Sequence, residues 1–154
     1  MDDSSAEGAL EEFARLLRRA SQEFDDAIMT RLGEPTVARW HVLSALSGGT
    51  GRSMSDLAEL TPLTGASLTR LIDAMVADNL VLRKVDSLDR RRVLVSRTRR
   101  GTLAYQKMQR GLHGSDLDRI VRERPRLTAE LTALLESLRT GRADAVLGTA
   151  RHAD

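Results

Sequence analysis

Leu10, Phe13, Leu17, Phe24 and Ile28 recur at intervals that keep them on one side of a helix, with charged residues on the other side. This predicts a first helix over residues 6–32, ended by Gly33 and Pro35. Trp40, Leu43 and Leu46 resume helical spacing after Thr36, whose hydroxyl can cap a second helix, and the glycines of 47–51 stop it. Ser53 is followed three positions later by Asp56, a variant of the capping box, which starts a short helix through Leu57, Ala58 and Leu60. Pro62 prevents its continuation, and Thr64 can cap a further helix running to Leu80. Two short helices joined by a few residues make a helix-turn-helix.

On the second helix of that pair, Leu68, Leu71, Ile72, Met75 and Val76 form the core face. Ala66, Thr69, Arg70 and Asp73 lie opposite, with Gly65 and Ser67 in the first turn. Small and hydroxyl-bearing residues let a helix approach a groove closely and supply hydrogen bonds without bulk. After Leu80 the period changes. Two β-branched runs, VLRKV and RVLVSRT, flank a polar turn and predict a hairpin, which is marginal alone and must lean on the helices. Helix-turn-helix followed at once by a hairpin is a winged helix.

From Thr98 the helical spacing returns through Leu103, Ala104, Met108, Leu112, Leu117, Ile120 and Val121 towards Pro125. Gly101, Gly111 and Gly114 each weaken this segment by about 1 kcal/mol relative to alanine and place a bend near 111–114. A final helix opens at Thr128 and carries Leu131, Leu134, Leu135 and Leu138, and the last five residues, ARHAD, are expected to fray. The apolar stripes of the first and last two helices exceed what a small winged helix can cover, which argues for a partner subunit. The fold class is therefore mainly α with a small β-hairpin, a winged helix-turn-helix between N- and C-terminal helices.

Composition narrows the chemistry. The 154 residues suit one domain. A net charge of +2 conceals an uneven distribution: acidic residues crowd 2–26, whereas Arg83, Lys84, Arg90, Arg91, Arg92, Arg97, Arg99 and Arg100 form a block interrupted only by Asp86 and Asp89. That asymmetry points to a face made for an anionic partner, although the preference for arginine over lysine fits a codon bias equally well. With no cysteine, disulfides and thiol sensing are excluded. No apolar run is long enough for a membrane span and MDDSSAEG does not resemble a signal peptide, so a cytoplasmic protein without membrane contact is expected. The chain carries no G-x-S-x-G, H-E-x-x-H or P-loop, and the glycines of 47–51 read as a loop. His41, His113 and His152 have no metal-ligand spacing. No enzyme, catalytic residue, metal or cofactor is expected.

RWHVLSAL, TGASLTRLIDAMVADNLVLRK and DSLDRRRVLVSRTRRG together resemble the MarR family of bacterial winged-helix regulators, in order and with the expected gaps, over about residues 6–138. The wing carries the family's Asp-x-Arg-Asp/Asn-x-Arg pattern at Asp86, Asp89 and Arg91, followed by the helix entry at Thr98 and Gly101. Two positions depart from it. Leu88 stands where relatives carry a wing-tip arginine that reaches the minor groove, and Arg97 replaces a leucine, so that strand end is expected to be more exposed. Leu88 is open to three readings: a hydrophobic contact that steadies the loop, a wedge against the sugar edges, or a partner contact.

The resemblance implies a single domain over 1–154, with dimerisation helices at 6–32 and 102–147 around a DNA-binding lobe at 36–100. It implies a homodimeric, sequence-specific DNA-binding regulator, a repressor of an inverted repeat on double-stranded DNA. Thr64, Ser67, Thr69 and Arg70 are assigned to the major groove, with a cap-only alternative open for Thr64. Arg90, Arg91 and Arg92 are assigned to the wing contacts, and Asp89 to holding a wing arginine, since a carboxylate beside phosphate is repelled. The family's small, often aromatic or phenolic, effector would be lined by Ile28, Trp40, His41, Tyr105 and Met108, with a plain core role open for Trp40 and a surface or hydrogen-bonded core role for His41. The rival reading is a winged-helix protein-interaction module without specific DNA reading.

Overall fold

The computed structural model describes residues 3–34 and 36–150, and the side chains of 8–34 and 36–142. The tail at 151–154, expected to fray, lies outside the described residues. The described elements are seven helices and a three-stranded antiparallel sheet: α1 (Asp3–Leu32), α2 (Thr36–Ala45), β1 (Arg52–Ser53), α3 (Met54–Leu60), α4 (Gly65–Ala77), β2 (Val81–Val85), β3 (Val93–Arg97), α5 (Arg99–Leu112), α6 (Asp116–Arg122) and α7 (Pro125–Ala150). They fall into two compact units, 1–113 and 114–154.

The first unit holds the winged helix. Its core joins Val42, Leu43 and Leu46 of the α2 region to Leu57 of α3, Leu68, Ile72 and Met75 of α4, and Leu80, Val81 and Val95 around the sheet. Every one of the α4 residues here comes from the stripe whose spacing predicted it. The sheet order is β1-β3-β2, with Val81 opposite Arg97 and Val85 opposite Val93. β1 enlarges the expected hairpin to three strands, Arg52 pairing with Val95 and Ser53 with Leu94. A strand of two residues has no alternation to announce it. Gly51 makes the approach possible: it has φ +77, and a Cβ there would lie 2.7 Å from Ser96 Oγ.

Ser53 then serves twice, as the end of β1 and as the cap of α3. Its hydroxyl accepts from the Asp56 N–H at 3.1 Å and its own N–H donates to the Asp56 carboxylate at 3.0 Å, a complete capping box. Hydrogen bonding to Ser53, backbone first and side chain second, holds the Asp56 carboxyl below the usual carboxylate range, aided by Arg92 and Arg52 against slight burial. A group whose pKa is lower folded than unfolded stabilises fully above its unfolded value and ceases to do so as pH falls through the folded one. Asp56→Ala is therefore expected to lower unfolding stability by about 0.5–2 kcal/mol near neutrality. In urea melts the gap between wild type and variant should close as pH drops below the ordinary carboxylate range, and a gap independent of pH would contradict the ionised cap.

α1 lies against α2 and α5 near its C-terminal end, where Ile28 is fully buried. Further towards its N-terminus, Leu10, Phe13, Leu16 and Leu17 stay exposed. Thr36 is the first residue of α2 rather than a cap outside it.

The helix expected to run from Thr98 towards Pro125 with a bend instead ends at Leu112, and α6 begins afresh at Asp116. Gly114 takes φ +73 and donates its N–H to the Asp118 carboxylate at 2.9 Å, while the Ser115 hydroxyl accepts from the Asp118 N–H at 3.2 Å. The Ser-x-x-Asp spacing is that of α3, but here the carboxylate accepts from Gly114, the residue before the cap, rather than from the cap serine itself. In the second unit α7 starts at Pro125, three residues before the expected Thr128, with proline in the first turn where its missing N–H is harmless. Ile120, Val121, Leu127, Leu131, Leu135 and Leu138 of this unit are all exposed.

Candidate nucleic-acid interface

α4 divides as its sequence divides except at Val76, expected on the core face but 37% exposed near the C-terminal end of the helix. Leu68, Ile72 and Met75 are buried, and Thr64, Gly65, Ala66, Ser67, Thr69, Arg70 and Asp73 are exposed. Thr64 occupies the N-cap position, yet its hydroxyl makes no capping bond. Gly65, the next residue, has φ +52, in the left-handed region that glycine adopts without strain. Cap-only is thus not the role of Thr64, and its hydroxyl is available outward. Thr69 Oγ1 donates to the Gly65 carbonyl at 3.2 Å, and Arg70 Nε donates to the Ala66 carbonyl at 3.2 Å. Arg70 is thereby laid back along the helix towards its N-terminus, the end that carries Thr64 and Ser67.

The wing is built by two aspartates. Asp86 accepts the Leu88 N–H at 2.9 Å, and its own N–H donates to the Arg92 carbonyl at 2.9 Å, closing the loop. Asp89 accepts the Arg91 N–H at 3.0 Å through its carboxylate and the Arg92 N–H at 2.9 Å through its carbonyl. Asp89 does hold wing arginines in place, but by their backbone rather than their guanidinium groups. Arg90 and Arg91 are exposed and have no ion pair among the described residues. Arg92 leans back, its guanidinium 3.8 Å from the Asp56 carboxylate of the α3 capping box.

Leu88 at the tip is 96% exposed. An intramolecular contact that steadies the loop is therefore excluded; the aspartates do that work. Arg83 of β2 pairs with Asp73 of α4 at 2.8 Å, fastening the sheet to the outward side of that helix. Arg39 of α2 pairs with Asp78, the C-cap of α4, at 2.6 Å. Neither pair was visible in spacing, since each joins residues far apart in the chain.

Arg97, at the end of β3, is not fully open to solvent. Its guanidinium carbon sits 4.8 Å from the centre of the Tyr105 ring, a cation–π contact that leaves it half-buried. Of the proposed effector-lining residues, Ile28 is fully buried, and Tyr105 and Met108 pack on the core. The Trp40 and His41 rings meet edge to face at 5.1 Å. His41 Nε2 lies 2.9 Å from the Asp25 carboxylate, so the nitrogen that an anion would use already has an anionic neighbour. These residues belong to α1, α2 and α5, which pack on one another.

A buried helix-turn-helix, an exposed hydroxyl-rich helix and an arginine-bearing wing define a winged helix-turn-helix. The model of the MarR family matches residues 35–92. No curated protein matches the chain. Among solved structures, a MarR family transcriptional regulator from Silicibacter pomeroyi is 29% identical with a TM-score of 0.65, covering 86% of this chain and 94% of that one. Apo MarR from E. coli is 27% identical with a TM-score of 0.61, covering 83% and 94%. A mutant of the same protein complexed with operator DNA is similar at 23% identity and a TM-score of 0.63, covering 84% and 95%. BpsR of Bordetella bronchiseptica, whose DNA binding is regulated by 6-hydroxynicotinic acid, is 24% identical with a TM-score of 0.55, covering 82% and 98%. Residues 35–92 of the winged helix-turn-helix thus match the MarR family model, and the chain is similar in fold and sequence to solved MarR family transcriptional regulators.

Proposed function

We propose that this regulator acts as a homodimeric repressor that binds an inverted repeat in double-stranded DNA and is released by a small-molecule effector. The observation that carries the DNA reading is the pairing of the outward face of α4, with Thr64, Ser67, Thr69 and Arg70, with a wing whose Arg90 and Arg91 have no ion pair among the described residues. Phosphate contacts from such arginines position a protein, and base contacts from the helix specify the sequence. The operator complex of the E. coli relative supports this arrangement.

The exposed apolar residues of α1 and α7 support the dimer, because monomers rarely leave that many large side chains in water. In a two-fold dimer each α4 would meet one half-site, the two lying about 34–36 Å apart. The regulated relative BpsR supports an effector, for which Ile28, Trp40, His41, Tyr105 and Met108 remain the lining. The helices that bear them also carry the winged lobe, so a ligand that binds one arrangement of these helices better than another would shift the DNA-competent population.

Arg90 tests the division of labour. Each phosphate contact contributes nearly one unit to the slope of log affinity against log salt. Arg90→Ala should weaken all duplexes alike and reduce that slope by about 0.9 per wing, without changing which sequence is preferred. A variant that keeps the full slope, measured by anisotropy across a salt series, would remove Arg90 from the interface. Light scattering on the same samples should give twice the mass of the chain; the mass of one chain would refute the dimer.

A further inference from the structure

The wing tip is apolar as well as basic. Leu88 is 96% exposed, and the cross-strand pair nearest the tip, Val85 and Val93, is 61% and 44% exposed. Leu88 is not loosely placed: Asp86 and Asp89 fasten the backbone on either side of it, and Arg90 and Arg91 follow it two and three positions on in the chain. An apolar side chain presented on a braced turn beside phosphate-binding arginines is suited to wedge into the minor groove and partly unstack a base step.

We propose that Leu88 enters the minor groove as an apolar wedge and makes this regulator select DNA flanks by deformability. The proposal rests on the DNA-binding reading above and deepens it by naming what the wing reads. A guanidinium at the tip would be drawn to the strong negative potential of a narrow A-tract groove, whereas a leucine has no charge to exploit that potential. The leucine is favoured instead wherever the duplex opens easily, and pyrimidine–purine steps, TA and CA/TG, are the flexible ones. The exposed Val85 and Val93 extend the apolar surface that a widened groove can cover.

The test starts from a core site selected by the wild-type protein from a randomised duplex pool of about 30 base pairs, long enough for two half-sites. Two duplexes then share that core and differ only in flanks, either TA and CA steps or A-tracts, with 2-aminopurine at the step facing the wing. Wild type should bind the flexible flank about tenfold more tightly and brighten the 2-aminopurine as the base unstacks. Leu88→Ala should lose both effects and Leu88→Arg should turn the preference towards the A-tract. Because the side chain is almost wholly exposed, neither change threatens the fold. A wild type that selects a core but ignores its flanks, or a Leu88→Ala variant indistinguishable from it, overturns the wedge alone. A wild type that selects no core overturns the DNA-binding reading, and the wedge with it.

Discussion

Gly101→Ala should destabilise the winged lobe by about 3 kcal/mol or more, enough to unfold a marginal domain. Helix propensity alone argues the other way, since Gly101 lies in the first turn of α5 and alanine would gain about 1 kcal/mol there. Geometry decides against propensity. A Cβ at Gly101 would stand 1.9 Å from the Leu80 carbonyl oxygen and 2.9 Å from its carbonyl carbon. Both obstacles are backbone, which cannot rotate aside.

That carbonyl is also engaged. It accepts the Thr98 N–H at 3.1 Å, while the Thr98 hydroxyl donates to the Asn79 carbonyl at 2.6 Å and accepts the Gly101 N–H at 2.9 Å. Displacing Leu80 would thus disturb the junction where α4, β2 and α5 meet. Gly111→Ala is the control in the same helix, where a Cβ would meet only the end of the Leu32 side chain at 3.3 Å. It should be neutral or gain up to about 1 kcal/mol. Urea unfolding followed by circular dichroism separates the two, and equal midpoints for them would contradict the close approach.

The second large effect concerns recognition. Arg70→Ala should lower specific affinity by about 1–3 kcal/mol at each half-site, roughly 5–150-fold, and a dimer suffers the loss twice. Arg70 Nε is occupied by the Ala66 carbonyl, which fixes the guanidinium over the first turn of α4 and leaves its two terminal nitrogens for a bidentate base contact. Binding to unrelated sequence should change little, because most of that affinity comes from phosphate contacts. Competition against single-base variants of the operator would show discrimination lost at one position per half-site. Uniform weakening across all sequences would instead reassign Arg70 to the DNA backbone.

The parts of this fold that were legible in the sequence are those written locally. The α4 stripe, apart from the exposed Val76 at its end, the Ser53–Asp56 capping box and the change of period at the wing each depend on residues within a few positions of one another, and each is found where its spacing put it. What escaped depends on chain folding back on itself. β1 is too short to show a pattern, and Gly101 reads as a weak helix residue until Leu80 is seen behind it. The Ser115–Asp118 cap carried a readable signal, masked by the glycines around it that suggested a bend. For the candidate interface, the hydroxyls of α4 and the wing arginines were legible from residue type, whereas the bracing of the wing by Asp86 and Asp89 and the openness of Leu88 needed coordinates. The contact of Arg97 with Tyr105, two turns into the next helix, likewise needed coordinates.

Fluorescence anisotropy of the purified protein on the intergenic duplex upstream of its own gene, beside a scrambled duplex and a pool-selected core, tests the central claim most directly. Taken at two salt concentrations, the account predicts clear preference for the selected core and affinity that falls steeply with salt, as contacts from arginines to phosphates require. Equal and weak binding to all three duplexes, insensitive to salt, would contradict a DNA-reading wing and helix.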